Sequence, residues 1–302
     1  MLFSLISLMV CLIAGYVCRI TKVLNDGAIA ALTDLLIKIT LPCTIFVTMM
    51  RPFSTELFAD SLKVLGIFTA IQFLNLLFGF IIVKMLRVTD SNIKHIWMFA
   101  ITFGNVGYMG YPVINAVFGE SALIYASMVN ISYNVLVNTL GIRLIDPRQR
   151  FTKYEWRRVF ITPVMISTVL GFICFTASLH IPVPITNGIK YIADMTTPVS
   201  MLLLGAILGK SSIRGLFTGW KVYVVLLVRH FILPLTVLVI LKPIVHNYMA
   251  LSVIVLLCAM PAASFTAIFA QKYNSDAECA ARTVFISTFL SLISVPIISM
   301  FL

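Results

Sequence analysis

A hydrophobic stretch that cannot stay helical constrains this chain more than any other feature. Residues from about Ile93 to Phe118 are apolar enough, and numerous enough, to cross a bilayer, which takes roughly 20 such residues. The middle of the stretch reads GNVGYMGYPVINAVFG, Gly104 to Gly119. Gly104, Asn105, Gly107, Gly110 and Pro112 stand close together there. Glycine visits backbone angles that other residues avoid, and proline removes an N–H donor and fixes φ. A continuous helix through all five is not expected. Irregular backbone at membrane depth is tolerated only where protein buries it or where it lines a wet cavity. The stretch is therefore expected as two half-helices meeting near the midplane, the arrangement that builds the binding sites of many secondary transporters. From Ile93 the break lies about eleven residues in, roughly 16 Å, or half of a ~30 Å hydrocarbon core.

The rest of the chain carries the same signal. Of 302 residues, 60% are hydrophobic and only 11% are charged, against about 25% in a soluble protein. Mean hydropathy is +1.04. The fold class expected is an all-α polytopic membrane protein with ten transmembrane helices. The spans read as about 2–18, 28–50, 58–84, 93–118, 121–144, 157–179, 186–208, 220–241, 247–271 and 277–300. The first run, Leu2 to Val17, has no basic residue before it and no small-residue cleavage site after it, so it reads as a span rather than a signal peptide. The six cysteines are scattered and form no C-x-x-C pair, so neither a zinc site nor a disulfide framework is expected. The net charge of +11 could suggest a nucleic-acid partner, but the basic residues sit in short loops and topology accounts for them better.

Loops after odd-numbered spans hold sixteen Lys and Arg, and loops after even-numbered spans hold four. Lys38 and Arg229, inside spans, complete the 22. The positive-inside rule puts the odd loops in the cytoplasm and both termini outside. The prolines suggest a repeat: Pro42 and Pro112 in the second and fourth spans, Pro198 and Pro261 in the seventh and ninth. An odd number of spans per copy inverts the second copy, giving a 5+5 inverted repeat. The domains expected are residues 1–145, a cytoplasmic linker at 146–156, and an inverted second half at 157–302.

Free N–H groups and a partial positive charge at half-helix N-termini favour an anionic group, most simply a carboxylate. The expected substrate contacts are Asn105, Gly107, Gly110 and Pro112 at the first break and Pro261 and Ser264 at the second. Asn130 and Asn134 join them from the fifth span, where Asn130, Asn134 and Asn138 share a helical face at i, i+4, i+8. That face serves equally as polar glue between helices. Lys38, Asp34, Arg229 and Asp194 are intramembrane ionisable groups and candidates for charge compensation or coupling. Asp34 and Lys38 are spaced for an i,i+4 ion pair. No H-E-x-x-H, P-loop or nucleophile elbow occurs, so no catalysis, cofactor or metal is expected.

At the two breaks the chain resembles the auxin efflux carrier family, which takes in plant auxin carriers and bacterial malate-permease-like transporters. The resemblance rests on Asn105, Gly110, Pro112, Ala116, Phe118 and Gly119 in NVGYMGYPVINAVFG. In MPAASFTAIFAQKYN it rests on Pro261, Phe269, Ala270 and Tyr273-Asn274, and the closing TVFISTFLSLISVPI agrees. It extends over essentially all ten spans. It implies crossing broken helices in spans 4 and 9, a substrate carboxylate at Asn105, and a polar residue of span 5, here Asn130, in the same pocket. The chain lacks the long central loop of the plant members, which points away from auxin and toward a small organic acid.

The function expected is secondary transport of a small organic anion, a mono- or dicarboxylate, across the cytoplasmic membrane by alternating access. The partners are that anion and the lipid bilayer, with no nucleic acid and with a homodimer as the assembly allowed for. Alternatives are a cation–proton antiporter of similar design, which Asp34 and Asp194 would serve, and an anion channel. Topology supplies a direct test: a cysteine at Gln149 labels only from the cytoplasmic side and one near Ser299 only from outside. Labelling of Gln149 from outside in intact cells contradicts the charge argument.

Overall fold

A computed structural model describes residues 2–147, 161–179, 181–210 and 219–302. The described chain is helical, without strands, and the one β-type pairing is an isolated antiparallel bridge between Gly104 and Ala262. Helix α1 is Leu2–Ile20. Next come α2 (Asp26–Leu35), a π-helical turn at Leu36–Thr40, and α3 (Leu41–Met49). Helix α4 (Thr55–Met85) is the longest. Helices α5 (Ser91–Thr102) and α6 (Tyr111–Phe118) flank the first break, with a π turn at Val106–Gly110. Then α7 (Leu123–Leu136) runs through a π turn at Val137–Gly141 into α8 (Ile142–Ile145). Helix α9 is Pro163–Thr176, and α10 (Val183–Asp194) and α11 (Thr196–Lys210) form a nearly continuous rod. Helices α12 (Trp220–Leu227) and α13 (Leu233–Leu241) enclose a π turn at Val228–Ile232. The last helices are α14 (Tyr248–Cys258), α15 (Phe265–Lys272) and α16 (Ala277–Ser299). The loop expected at Asp146–Arg158 lies mostly outside the described residues.

Among the described residues, five helical stretches are long and apolar enough to cross a membrane: Asp26–Met49, Thr55–Met85, Val183–Gly209, Trp220–Leu241 and Ala277–Ser299. Ile6–Ile20, Pro163–Thr176 and Tyr248–Cys258 are shorter apolar helices. The protein is thus a polytopic helical membrane protein. Its pattern of exposure agrees. On α9, Ile166, Val169, Leu170 and Ile173 face outward while Ser167 and Thr168 are buried. An apolar exterior over a partly polar interior suits lipid rather than water.

Starts of helices are set by local chemistry. Asp90 accepts from the N–H groups of Asn92 and Ile93 (2.8 and 3.0 Å) and Asn247 from that of Ala250 (3.1 Å). Asp276 accepts from Cys279 N–H at 2.9 Å. Each satisfies a donor that the first helical turn leaves without a partner. Prolines within spans act differently. Pro42, Pro112 and Pro234 each lie two residues after a π turn. Proline lacks the donor, and its ring crowds the carbonyl four residues back; a π turn upstream absorbs both faults while the helix continues. Pro42 therefore widens its helix without breaking it. The break in Val183–Gly209 comes at Met195, three residues before Pro198.

Packing divides the chain into two compact units. The first comprises Met1–Leu65, Gly107–Ile131 and Tyr154–Lys210, and the second Gly66–Val106, Ser132–Lys153 and Ser211–Leu302. In the first unit α1 and α11 approach backbone to backbone. A Cβ on Gly15 would strike the backbone of Leu202, and one on Gly205 would strike that of Leu12 and Tyr16. Small residues permit the close contact that drives helix association in lipid. In the same unit Thr44 Oγ1 lies 2.7 Å from Thr196 Oγ1 and 3.1 Å from the carbonyl of Ala193, joining α3 to the interruption at Met195. Phe53, Phe58, Phe172 and Phe175 of this unit pack together, with the centroids of contacting rings 5.4 to 6.3 Å apart.

Gly205→Leu forces α1 and α11 apart and costs about 1–3 kcal/mol or more of stability. Gly188→Ala, which meets nothing within 4 Å, leaves it unchanged. Thermal unfolding in detergent distinguishes the two; equal melting temperatures for both variants contradict this account of the interface.

Candidate substrate site at the interrupted helices

The second unit contains the meeting of both breaks. Helix α5 stops at Thr102 because the chain turns extended at Phe103, with Gly104 and Asn105 following outside any helix. Helix α14 stops at Cys258, and residues 259–264 run irregularly to the start of α15. The two irregular stretches pair antiparallel. Asn105 N–H donates to Pro261 carbonyl at 2.7 Å, and Ala263 N–H donates to Phe103 carbonyl at 3.0 Å. Ala262 N–H donates to Ser287 Oγ of α16 at 2.8 Å. Backbone that would be unsatisfied in lipid is satisfied here by the other break and by one serine.

The carbonyls at the ends of α5 and α14 are taken by a side chain. Arg229, in the π turn between α12 and α13, is 1% exposed. Its Nη1 donates to Ile101 carbonyl at 2.9 Å and its Nε to Met260 carbonyl at 3.1 Å. One guanidinium thus meets the last turn of α5 and the irregular chain just beyond α14, at ends whose partial charge is negative. Gly104 makes the room: a Cβ there would collide with Arg229 Nη2. No carboxylate pairs with Arg229 among the described residues. Its neighbour His230 is also fully buried. Ring nitrogen Nε2 lies 2.9 Å from Ser287 Oγ and Nδ1 lies 2.9 Å from Ser294 Oγ. The serine that holds Ala262 is therefore itself held by His230.

Aromatic rings surround the bridge. Phe103 meets Phe99 at 4.9 Å and Tyr133 edge-on at 6.0 Å, and Phe269 of α15 meets Phe99 at 5.9 Å. Asn105 is buried at 4% exposure. Helix α15 begins immediately after the bridge, and the N–H groups of Ser264 and Phe265 have no acceptor among the described residues. With half-buried Ser264 they offer donors at the start of α15, where the helix partial charge is positive.

The expected site residues divide between the two units. Asn105, Pro261, Ser264 and Arg229 come together in the second, with Asn134 on the same unit. Asn134 is half-buried, and its carbonyl accepts from Asn138 Nδ2 at 2.9 Å. Asn130 and Asn134 lie in α7, and Asn138 lies within the π turn at Val137–Gly141. Of the three asparagines only Asn130 is fully buried. In the first unit, Pro112 and Gly110 are buried, Gly107 is half-buried, and Asn130 lies beside Tyr111, whose hydroxyl donates to Ser127 Oγ at 3.3 Å. Lys38 and Asp34 form an i,i+4 ion pair at 2.7 Å with both side chains more than half exposed. Asp194 is exposed, at a cavity of about 150 Å³ that also carries Thr44, Tyr111 and the ion pair of Lys190 with Glu120 at 3.0 Å.

Sequence reasoning singled out Arg229 as a buried charge without finding what it binds. The visible signal was Gly104, a glycine whose missing side chain leaves the space. It did not anticipate His230 and Ser287, nor the buried Gln72 and Asn75 of α4, whose side chains face each other at 3.3 Å.

A family described as Membrane transport protein matches residues 1–299. The chain belongs to this family. It is the auxin efflux carrier family that the two break motifs resemble. An uncharacterized transporter of Methanothermobacter thermautotrophicus is 26% identical over 302 residues, covering 99% of this chain and 97% of the relative. One of Methanocaldococcus jannaschii is 25% identical over 297 residues, covering 96% and 94%. A protein of Rhizobium meliloti provisionally named a malonate transporter is 24% identical over 215 residues, covering 65% of this chain and 63% of its own. These relatives are named as transporters, in keeping with a membrane protein that carries solute rather than one that catalyses a reaction.

Ser287→Ala leaves Ala262 N–H and a ring nitrogen of His230 without their shared partner. We expect a loss of about 1–3 kcal/mol in unfolding free energy. A variant as stable as the parent in detergent contradicts the role assigned to Ser287.

Proposed function

We propose that the protein is a secondary transporter that moves a small organic anion across the cytoplasmic membrane by alternating access. The observation that carries this reading is the antiparallel meeting of two interrupted helices, buried, with a fixed positive charge at the junction and free N–H donors where α15 begins. Such an assembly attracts a carboxylate and repels a cation. The family supports transport, and the name of the Rhizobium meliloti relative makes malonate the first substrate to try.

In this reading the chain crosses the membrane ten times as a 5+5 inverted repeat, residues 1–145 and 157–302, with both termini outside. Asn105 donates its side-chain amide to the substrate carboxylate, and Ser264 and the first turn of α15 add donors. Gly107, Gly110, Pro112, Pro261, Asn130 and Asn134 shape and line the site. A homodimer is compatible with this arrangement. The antiporter alternative needs a buried carboxylate at the break. The buried charge there is Arg229, while Asp34 and Asp194 are exposed.

The test is uptake of labelled malonate and a panel of mono- and dicarboxylates into proteoliposomes. At least one is accumulated or exchanged. Asn105→Ala weakens anion binding about 10- to 100-fold, as loss of one charge-assisted hydrogen bond does. Asn105→Asp abolishes binding at neutral pH, because like charges repel strongly in a low-dielectric site, with partial return in acid as the new carboxyl protonates. A monodisperse Asn105→Asp protein with unchanged affinity removes Asn105 from the site, and no uptake of any anion removes the substrate class.

A further inference from the structure

Arg229 has a function that capping alone does not explain. Backbone groups freed at a break can be satisfied by neutral groups, as Ser287 satisfies Ala262 N–H. The junction of α5 and α14 instead holds a full positive charge, 1% exposed, with no carboxylate paired to it among the described residues. Its hydrogen-bond acceptors are two backbone carbonyls, of Ile101 and Met260, from the two broken helices. Carbonyls of unwound backbone and half-helix C-termini are the ligands with which broken-helix transporters hold a sodium ion or proton. The third nitrogen, Nη2, occupies the space that a Cβ of Gly104 would fill, and Leu257 carbonyl lies 3.4 Å from that same point. Two carbonyls from the two breaks thus face one cation, and that cation is supplied by the chain.

We propose that the guanidinium of Arg229 takes the place of a bound monovalent cation where the two breaks meet. The charge that holds the broken ends together is then covalently fixed, and the site takes up no ion from solution. Removing the side chain leaves the carbonyls of Ile101 and Met260 without a cation, and they accept one from solution. The binding claim stands on the geometry around Arg229 alone. Its consequence, anion transport that does not depend on sodium, rests on the transporter reading above.

The experiment uses the full chain in detergent and in proteoliposomes. Thermal unfolding of the wild type and of Arg229→Ala is followed in choline chloride, in sodium chloride, and in guanidinium chloride at millimolar, non-denaturing concentrations. The wild type unfolds at the same temperature in all three. Arg229→Ala unfolds earlier in choline and recovers with guanidinium, and in part with sodium. An Arg229→Ala protein as stable as the wild type in choline overturns the proposal, as does one that no cation restores. If Arg229→Ala cannot be purified, the wild type decides. Malonate uptake that changes by less than about twofold between sodium and choline supports the proposal. Stimulation of about fivefold or more by sodium, the coupling expected of a true co-substrate, overturns it. Failure of every anion to be transported counts against the transporter reading, while the melting curves still report on Arg229.

Discussion

Everything around the candidate site depends on one constraint: backbone polar groups in a bilayer must find partners inside the protein. A helix answers this within itself. A broken helix does not, and two broken helices meet here. Each break supplies part of what the other lacks, through Asn105 to Pro261 and Ala263 to Phe103. The bridge consumes donors from both strands but leaves the carbonyls at the ends of α5 and α14, and Arg229 takes those. Without this closure the irregular stretches would cost several kcal/mol per unsatisfied group and revert to helix or to disorder. With it, the start of α15 can keep donors for a ligand.

The breaks were legible in the sequence because glycine and proline act locally. Gly104 to Pro112 and the small residues after Pro261 cannot sustain a regular ladder wherever they are placed. Pro42 was legible too, but its effect was not: a proline in an apolar helix can break it or widen it, and the choice depends on what surrounds the freed carbonyl. The π turns before Pro42 and Pro234 show the second outcome. The π turn that holds Asn138 is a related case. Periodicity assumes a constant turn, and the π turn at Val137–Gly141, where a Cβ on Gly141 would come within 2.8 Å of Phe99, carries no proline to announce it.

Charge was harder to read than shape. Four ionisable residues stood out for lying in apolar segments, and hydropathy ranks them alike. The structure separates them by surroundings. Lys38 and Asp34 neutralise each other on an exposed face, and Asp194 faces a cavity beside Lys190. Arg229 alone among these is enclosed, and its partners come from segments distant in sequence. No window of residues contains that information. His230 and Ser287 were missed on the same ground, since a buried serine becomes informative only when the group it serves is known.

The contact between Gly104 and Arg229 also restricts the order in which these positions can change over evolutionary time. A side chain at 104 has nowhere to go while the guanidinium is present, and a lost guanidinium strands two helix ends while 104 stays bare. Neither first step is neutral, although a joint replacement that fills the same volume and meets the same carbonyls could be. The two positions therefore behave as one inherited unit. Lineages of this fold should fall into discrete classes at this pair, with few intermediates between them, rather than drift through it one residue at a time.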